Sequence, residues 1–208
     1  DTTITLKLTL EEAVTYYVSV RGVDKVDNTG EAATSDGITA DFTPPSIVSA
    51  SIEDNATLPI LSDSEIIFTI SEPITAATST TESKLGDSAT GTLTLDDATQ
   101  ISVKLANPFT SGDELTLTIN DLKDRSGNVT SNLVYNYNIA LIADYNVDGS
   151  IDAADLTVLI NGWTNKDYAF ELGPAAGDVP NLKPATDGKY DIMDASVLIR
   201  MWHWNLNK

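Results

Sequence analysis

One sixteen-residue pattern is written twice near the C-terminal end of this chain, and it constrains the fold more than any other feature. Asp148-Gly149-Ser150-Ile151-Asp152-Ala153-Ala154-Asp155, continued by Leu156 to Trp163, returns as Asp187-Gly188-Lys189-Tyr190-Asp191-Ile192-Met193-Asp194, continued by Ala195 to Trp202. Eight of the sixteen positions are identical, so the two segments fold as copies of one loop-helix unit. In the first copy Leu156, Leu159, Ile160 and Trp163 fall at i, i+3, i+4 and i+7, which predicts one apolar helix face. In the second, Ile192, Ser196 and Ile199, with Val197 and Met201, are expected to form a similar stripe, with Trp202 in place of Trp163. Helices this short are marginal alone, so the two are expected to pack antiparallel over a shared core.

The residues that lead into the first copy extend the pattern to a twelve-residue loop. Asp144, Asn146, Asp148, Ser150, Asp152 and Asp155 stand at positions 1, 3, 5, 7, 9 and 12, with Gly149 at position 6. That spacing wraps a Ca²⁺ ion: side-chain oxygens come from Asp144, Asn146 and Asp148, and a backbone carbonyl from Ser150. Asp152 acts through water, and Asp155 closes the shell from the first helical turn. Gly149 permits the sharp turn. In the second copy, Asp187, Lys189 through its carbonyl, Asp191 and Asp194 remain, whereas Lys183 and Ala185 fall at positions 1 and 3. Two readings stay open for that loop. Either Asp178, Asn181 or backbone carbonyls of the proline-containing insert replace the missing ligands, or the loop keeps its fold without the ion. Three carboxylates in one tight turn repel one another, which favours a cation.

Charge points the same way. The 208 residues carry a formal net charge of −19 and contain no cysteine. A polyanion would be repelled, which excludes nucleic acid as a partner, and neither disulfides nor thiolate metal sites are available. Two Ca²⁺ ions would reduce the charge to about −15 and hold the acidic loops together. No run of about 18 apolar residues exists, so no membrane insertion is expected. The first residues read as the middle of a domain, so the chain is expected to start inside a longer protein.

Three domains are expected: residues 1–43, 44–140 and 141–208. In the first, the alternation from Thr3 to Leu10, the run Tyr16 to Asp24 and a third run from Ala32 to Ala40 predict strands. Leu10 six residues before Tyr16, the Tyr-Val-Ser-Val-Arg-Gly-Val-Asp run and the Asp27-Asn28-Thr29-Gly30-Glu31 turn resemble the C-terminal half of a fibronectin type III domain. Such a half sandwich leaves apolar faces uncovered. Pro44-Pro45 marks a boundary.

Beyond it, short β-branched strands are expected at residues 47–52, 65–70, 91–95, 101–105, 114–119 and 133–139. Ser79 to Ser88 reads as an exposed loop. The Asp124-Arg125-Ser126-Gly127-Asn128 turn after a Thr/Leu-rich strand resembles the bacterial Ig-like domains of surface-layer and secreted proteins, for which a spacer role is the default.

No entering helix precedes Asp144, so the repeat is not a full EF-hand. A loop followed by one helix, twice, behind an Ig-like module, resembles the dockerin domain. The fold class expected is therefore multidomain, with all-β Ig-like and fibronectin type III sandwiches followed by a small helical dockerin-like domain. The resemblance implies one Ca²⁺ per loop, a cohesin-like partner or neighbouring subunits, and an extracellular or cell-surface location. It also implies that Ala153-Ala154 and Ile192-Met193, the residues before each closing Asp, contribute to partner choice. Because the pairs differ, two-way docking is not expected. Trp202 is expected to fill the core and Trp204 to pack against the Ig-like domain or the first helix. No Ser/His/Asp set, zinc motif or phosphate loop is present, so no catalysis is expected. The alternative is a structural repeat of a surface layer, adhesin or filament stiffened by calcium.

Overall fold

A computed structural model describes residue 5 and residues 7–86, 91–106 and 108–208. At the N-terminal end, β1 (Thr15–Tyr16) pairs with β4 (Ile38–Thr39), and β2 (Ser19–Val20) pairs with β3 (Ala33–Thr34), all antiparallel. The Tyr16 hydroxyl accepts a hydrogen bond from the Glu11 N–H at 2.8 Å. These strands are shorter than the sequence suggests, and residues 7–10 are not strand; Ile4 and Leu6 of the expected first strand lie outside the described residues. The physical reason is burial. Tyr17, Val18, Val20, Val23 and Ile38 are all more than half exposed, so ladder hydrogen bonds form without an apolar core to extend them.

The central sandwich begins after Pro45. Strands β5 (Ile47–Ala50), β7 (Ser64–Ile70), β10 (Gln100–Leu105) and β9 (Gly91–Asp97) form one sheet in the order β5-β7-β10-β9. The second sheet runs β12-β11-β13-β6, from Val129–Thr130, Glu114–Asp124, Leu133–Ile139 and Thr57–Leu58, with β8 (Ile74–Ser83) also paired to β11. Alternation makes the core. Ile66, Phe68, Ile101 and Val103 from the first sheet and Leu115, Leu117 and Ile119 from the second are at most 1% exposed.

Ser79 to Ser83 is strand rather than the expected loop, and residues 87–88 of that stretch lie outside the described residues. Ser79, Thr80, Thr81, Glu82 and Ser83 pair with Ile119 to Leu115, and threonine's branched Cβ suits such a half-exposed ladder. β11 also overruns the turn expected at its end. Its register shifts between Asn120 and Lys123, where Asp121 adopts φ +52°, so Leu122 and Asp124 continue the buried face.

After Ile139 the chain turns into α1 (Ala153–Asn165), a short 3₁₀ turn at Tyr168–Phe170, a hairpin of β14 (Ala175–Ala176) and β15 (Lys183–Pro184), and α2 (Ile192–Asn205). Ile151, Leu159, Leu172, Leu182, Val197, Leu198 and Met201 are buried and belong to the same apolar cluster as the sandwich core. Among the described residues no helix is long and apolar enough to cross a membrane.

Candidate metal centres in the C-terminal unit

The first loop is organised by its two end carboxylates. Asp144 is 6% exposed and accepts from the N–H groups of Asp148 at 3.2 Å and Gly149 at 2.9 Å. Asp155 is 1% exposed and accepts from Tyr145 N–H at 2.8 Å and Asp152 N–H at 2.9 Å. Between them Gly149 takes φ +83°, the left-handed turn that position 6 requires. Asn146, Asp148, Ser150 and Asp152 are exposed around the loop. Asp152 also caps α1, accepting from Ala154 N–H in a capping box with Asp155.

Burial pushes the Asp144 carboxyl above its ordinary value; the Gly149 and Asp148 amides oppose this, and the charges of Asp155 and Asp148 add to the rise. A buried carboxylate whose charged neighbours are other carboxylates suits a cation. The donors are all oxygen, which fits hard Ca²⁺ better than zinc, and His203, the one histidine, is exposed and outside both loops.

The second loop repeats this architecture with one residue that spacing could not locate. Glu171, 2% exposed, accepts from Asp187 N–H and, through both oxygens, from Gly188 N–H at 3.0 Å. Those amides correspond to Asp148 and Gly149, so Glu171 takes the part of Asp144. Asp194, 0% exposed, accepts from Leu172 N–H at 2.9 Å, Gly173 N–H at 3.0 Å and Asp191 N–H at 2.8 Å. Leu172 follows Glu171 as Tyr145 follows Asp144, and Gly188 takes φ +77°. Asp144 lies four residues before Asp148, whereas Glu171 lies sixteen before Asp187, so twelve extra residues are inserted between positions 1 and 5.

That insert corrects the expected replacements. Asn181 turns its amide to the Ser111 carbonyl at 2.9 Å, and Asp178 is exposed. Lys183 pairs in β15 instead of opening the loop. Lys189 is exposed, with its ammonium 3.3 Å from Asp187. Asp191 caps α2 by accepting from Met193 N–H.

The closing aspartates also decide which helix faces turn inward. From Asp155, the residues at i+4 and i+7 are Leu159 and Gly162; from Asp194, those at i+3, i+4 and i+7 are Val197, Leu198 and Met201. All are buried. Leu156 is half-buried, but Ile160 and Trp163 are 53% and 41% exposed, and Ile192 and Ile199 are 75% and 63% exposed. The expected stripes are therefore rotated, because a buried carboxylate and not an apolar residue anchors each first turn. Trp163 stacks on Tyr190, which stacks in turn on Tyr168, with centroids 5.5 and 5.4 Å apart. Gly162 leaves room beneath them, since a Cβ there would lie 2.6 Å from the Tyr190 hydroxyl and 3.0 Å from the Phe170 Cβ. Trp202 and Trp204 are partly buried against the common cluster, and the Lys208 ammonium lies over the Trp204 ring.

Among the described residues, one acidic trio brings its oxygens within 4.8 Å of one another, and it lies elsewhere: Asp41, Glu72 and Asp124, where the N-terminal strands meet the sandwich. Burial raises the Glu72 carboxyl, with further contributions from Asp41, Asp124 and Glu12. At Asp124 burial works against ionisation, but the Asn128 side chain and the backbone amides of Asn128, Gly127 and Ser126 outweigh it and hold its carboxyl below the usual range. The Asp-x-x-Gly-Asn turn thereby becomes a socket. Asn128 donates to the Asp41 carbonyl and Ser126 to the Asp41 carboxylate, fixing the entry into the sandwich.

Residues 41–139 match the bacterial Ig-like domain family. No curated protein matches the chain. Among solved structures, the CopC protein from Methylosinus trichosporium OB3b is similar at 8% identity and TM-score 0.36, over 46% of this chain and 93% of that one. The filamin domain of Lin-41 is similar at 15% identity and TM-score 0.33, over 46% and 90%. The LD transpeptidase LdtMt1, solved in complex with imipenem, is similar at 11% identity and TM-score 0.33; 48% of this chain covers 42% of its length. Residues 41–139 thus fold as an Ig-like β-sandwich similar to the bacterial Ig-like domain family.

Proposed function

We propose that the chain is a non-catalytic, extracellular attachment piece: an Ig-like domain carrying a dockerin-like unit that binds two Ca²⁺ ions and docks on a cohesin-like partner. The observation that carries this reading is the matched pair of buried end carboxylates, Asp144 with Asp155 and Glu171 with Asp194. Each pair engages the same backbone amides of its loop. Asp144, Asn146, Asp148, the Ser150 carbonyl, Asp152 and Asp155 would hold the first ion. Glu171, Asp187, the Lys189 carbonyl, Asp191 and Asp194 would hold the second. A bound Ca²⁺ supplies two positive charges among carboxylates that otherwise repel one another.

Each loop then fixes the start of its helix, and the helices present apolar side chains outward. Ile160 of α1, with Ile192, Met193 and Ile199 of α2 and Leu206 after it, are all exposed, and together they suit a partner's apolar surface. Pull-down by cohesin modules tests the reading: capture in calcium and release in chelator are expected, and failure of every cohesin in calcium counts against the partner class. The second reading, a structural repeat stiffened by calcium, draws on the exposed apolar side chains of β2 and β4, which suit lateral contacts between copies. Calcium-dependent polymers in electron micrographs would favour it.

A further inference from the structure

The insert between Glu171 and Asp187 reaches across to the Ig-like domain. Its Leu182 is 0% exposed, and three hydrogen bonds from the C-terminal unit meet at Ser111, also 0% exposed, in the loop before β11. The Ser111 N–H donates to the Leu182 carbonyl at 2.8 Å. The Ser111 carbonyl accepts from the Asn181 side-chain amide at 2.9 Å, and its hydroxyl accepts from Ile142 N–H at 2.9 Å. Gly112 beside it takes φ +70°, which permits the turn. The other end of the insert is tied to the second loop. Gly173 N–H enters on the Asp194 carboxylate, and Glu171 grips the amides of Asp187 and Gly188, just past the exit.

We infer that the second loop is a cation-controlled latch: closing the Glu171 to Asp194 loop around a divalent ion fixes the insert on Ser111 and stiffens the joint between the Ig-like domain and the C-terminal unit. The inference rests on the calcium reading above and adds what the second ion is for. The hairpin of the insert has two paired positions per strand, too few to keep its shape unaided. Its geometry is held by the loop at both ends, together with buried Leu182 and the Arg200 guanidinium, which donates to the Gly177 carbonyl at 3.1 Å. Without a cation, Glu171, Asp187, Asp191 and Asp194 repel one another, and the loop opens more often. An ion that binds only the closed loop suppresses opening by a factor of 1 + [L]/Kd, about 100-fold at roughly 100 times Kd. The first loop has no insert. Its own outside contacts run from the Tyr145 hydroxyl to the Phe170 carbonyl at 2.5 Å, and to the end of the chain, from the Lys208 ammonium to the Gly149 carbonyl and from the Asn205 amide to the Ile151 carbonyl.

The test is amide hydrogen exchange at Ser111 in the full chain, with calcium at about 100 times the second-site Kd or with chelator, and calcium stoichiometry measured on the same samples. Exchange at Ser111 should slow by up to about 100-fold in calcium. Asp187→Asn, at an exposed ligand of the second loop, should bind one ion fewer and lose the slowing. Asp148→Asn, at the equivalent exposed ligand of the first loop, should lose its own ion and keep the slowing. Tryptophan fluorescence confirms that each variant is folded. Equal Ser111 exchange in calcium and chelator, with two ions bound, overturns the latch and leaves the calcium reading standing. Loss of the slowing in both variants also overturns it, because the effect would then be general stabilisation. Absence of any ion at the second loop removes both.

Discussion

Replacing Gly173 by alanine should unfold much of the C-terminal unit's stability reserve. A Cβ built at Gly173 lies 2.6 Å from the Met193 carbonyl carbon, 2.8 Å from the Asp194 nitrogen and 2.9 Å from the Met193 oxygen. All three are backbone atoms at the start of α2, so no side-chain rotation relieves the contact. The chain must move away, at an overpacking cost of about 1–3 kcal/mol. Moving also loosens the Gly173 N–H bond to the buried Asp194 carboxylate, a charge-assisted bond of the kind that contributes about 1.5–3 kcal/mol. A destabilisation of roughly 3–5 kcal/mol is expected, against the ~5–15 kcal/mol that holds a typical domain.

Urea unfolding followed by tryptophan fluorescence isolates this effect, because Trp163, Trp202 and Trp204 all lie in the C-terminal unit. Gly22→Ala is the control: nothing lies within 4 Å of the Cβ it adds, so the tryptophan transition should not move. A shift below about 0.5 kcal/mol for Gly173→Ala, the range of an ordinary surface change, would refute the close approach of the insert to α2.

Other outcomes follow from the same contacts. Asp194→Asn keeps one oxygen for the Leu172 and Gly173 N–H groups but turns its N–H₂ toward the Asp191 N–H at a fully buried position, and should lower the tryptophan-reported stability by about 3 kcal/mol while removing the second calcium-binding event. Phe68→Ala, which empties a fully buried position beside Tyr135, should cost the sandwich about 3–5 kcal/mol in calorimetry. The raised Asp144 pKa has a definite sign. In chelator its contribution to stability is fully present below the ordinary value of 3.8 and lost as pH rises through the raised value, so the tryptophan-reported midpoint should fall with rising pH in that window. Asp144→Asn should flatten that slope, and an unchanged slope would assign it to other groups.

The first loop was legible because its donors and its glycine lie in twelve consecutive residues. The second was legible only from position 5 onward. Glu171 is displaced by the insert, and the cues in sequence are slight: an acid between the apolar residues Phe170 and Leu172, as Asp144 lies between Ala143 and Tyr145, just ahead of Gly173-Pro174. Helix faces read from apolar residues alone came out rotated, since no hydropathy pattern assigns an aspartate to the interior. It is backbone amides at the loop starts that make Asp155 and Asp194 stable there. In the sandwich, alternation located β7, β10, β11 and β13, whose inward-facing side chains are buried or half-buried. It missed β8, whose serines and threonines from Ser79 to Ser83 read as a loop until the partner strand β11 is in place. The N-terminal strands were overextended for the opposite reason: their alternating apolar residues have no covering layer.

Calcium titration of the intact chain by calorimetry tests the central claim most directly. Two ions per chain are expected, with one lost in Glu171→Gln and the other lost in Asp148→Asn. A titration with no binding at either loop, or one in which Glu171→Gln leaves both events unchanged, would contradict the account.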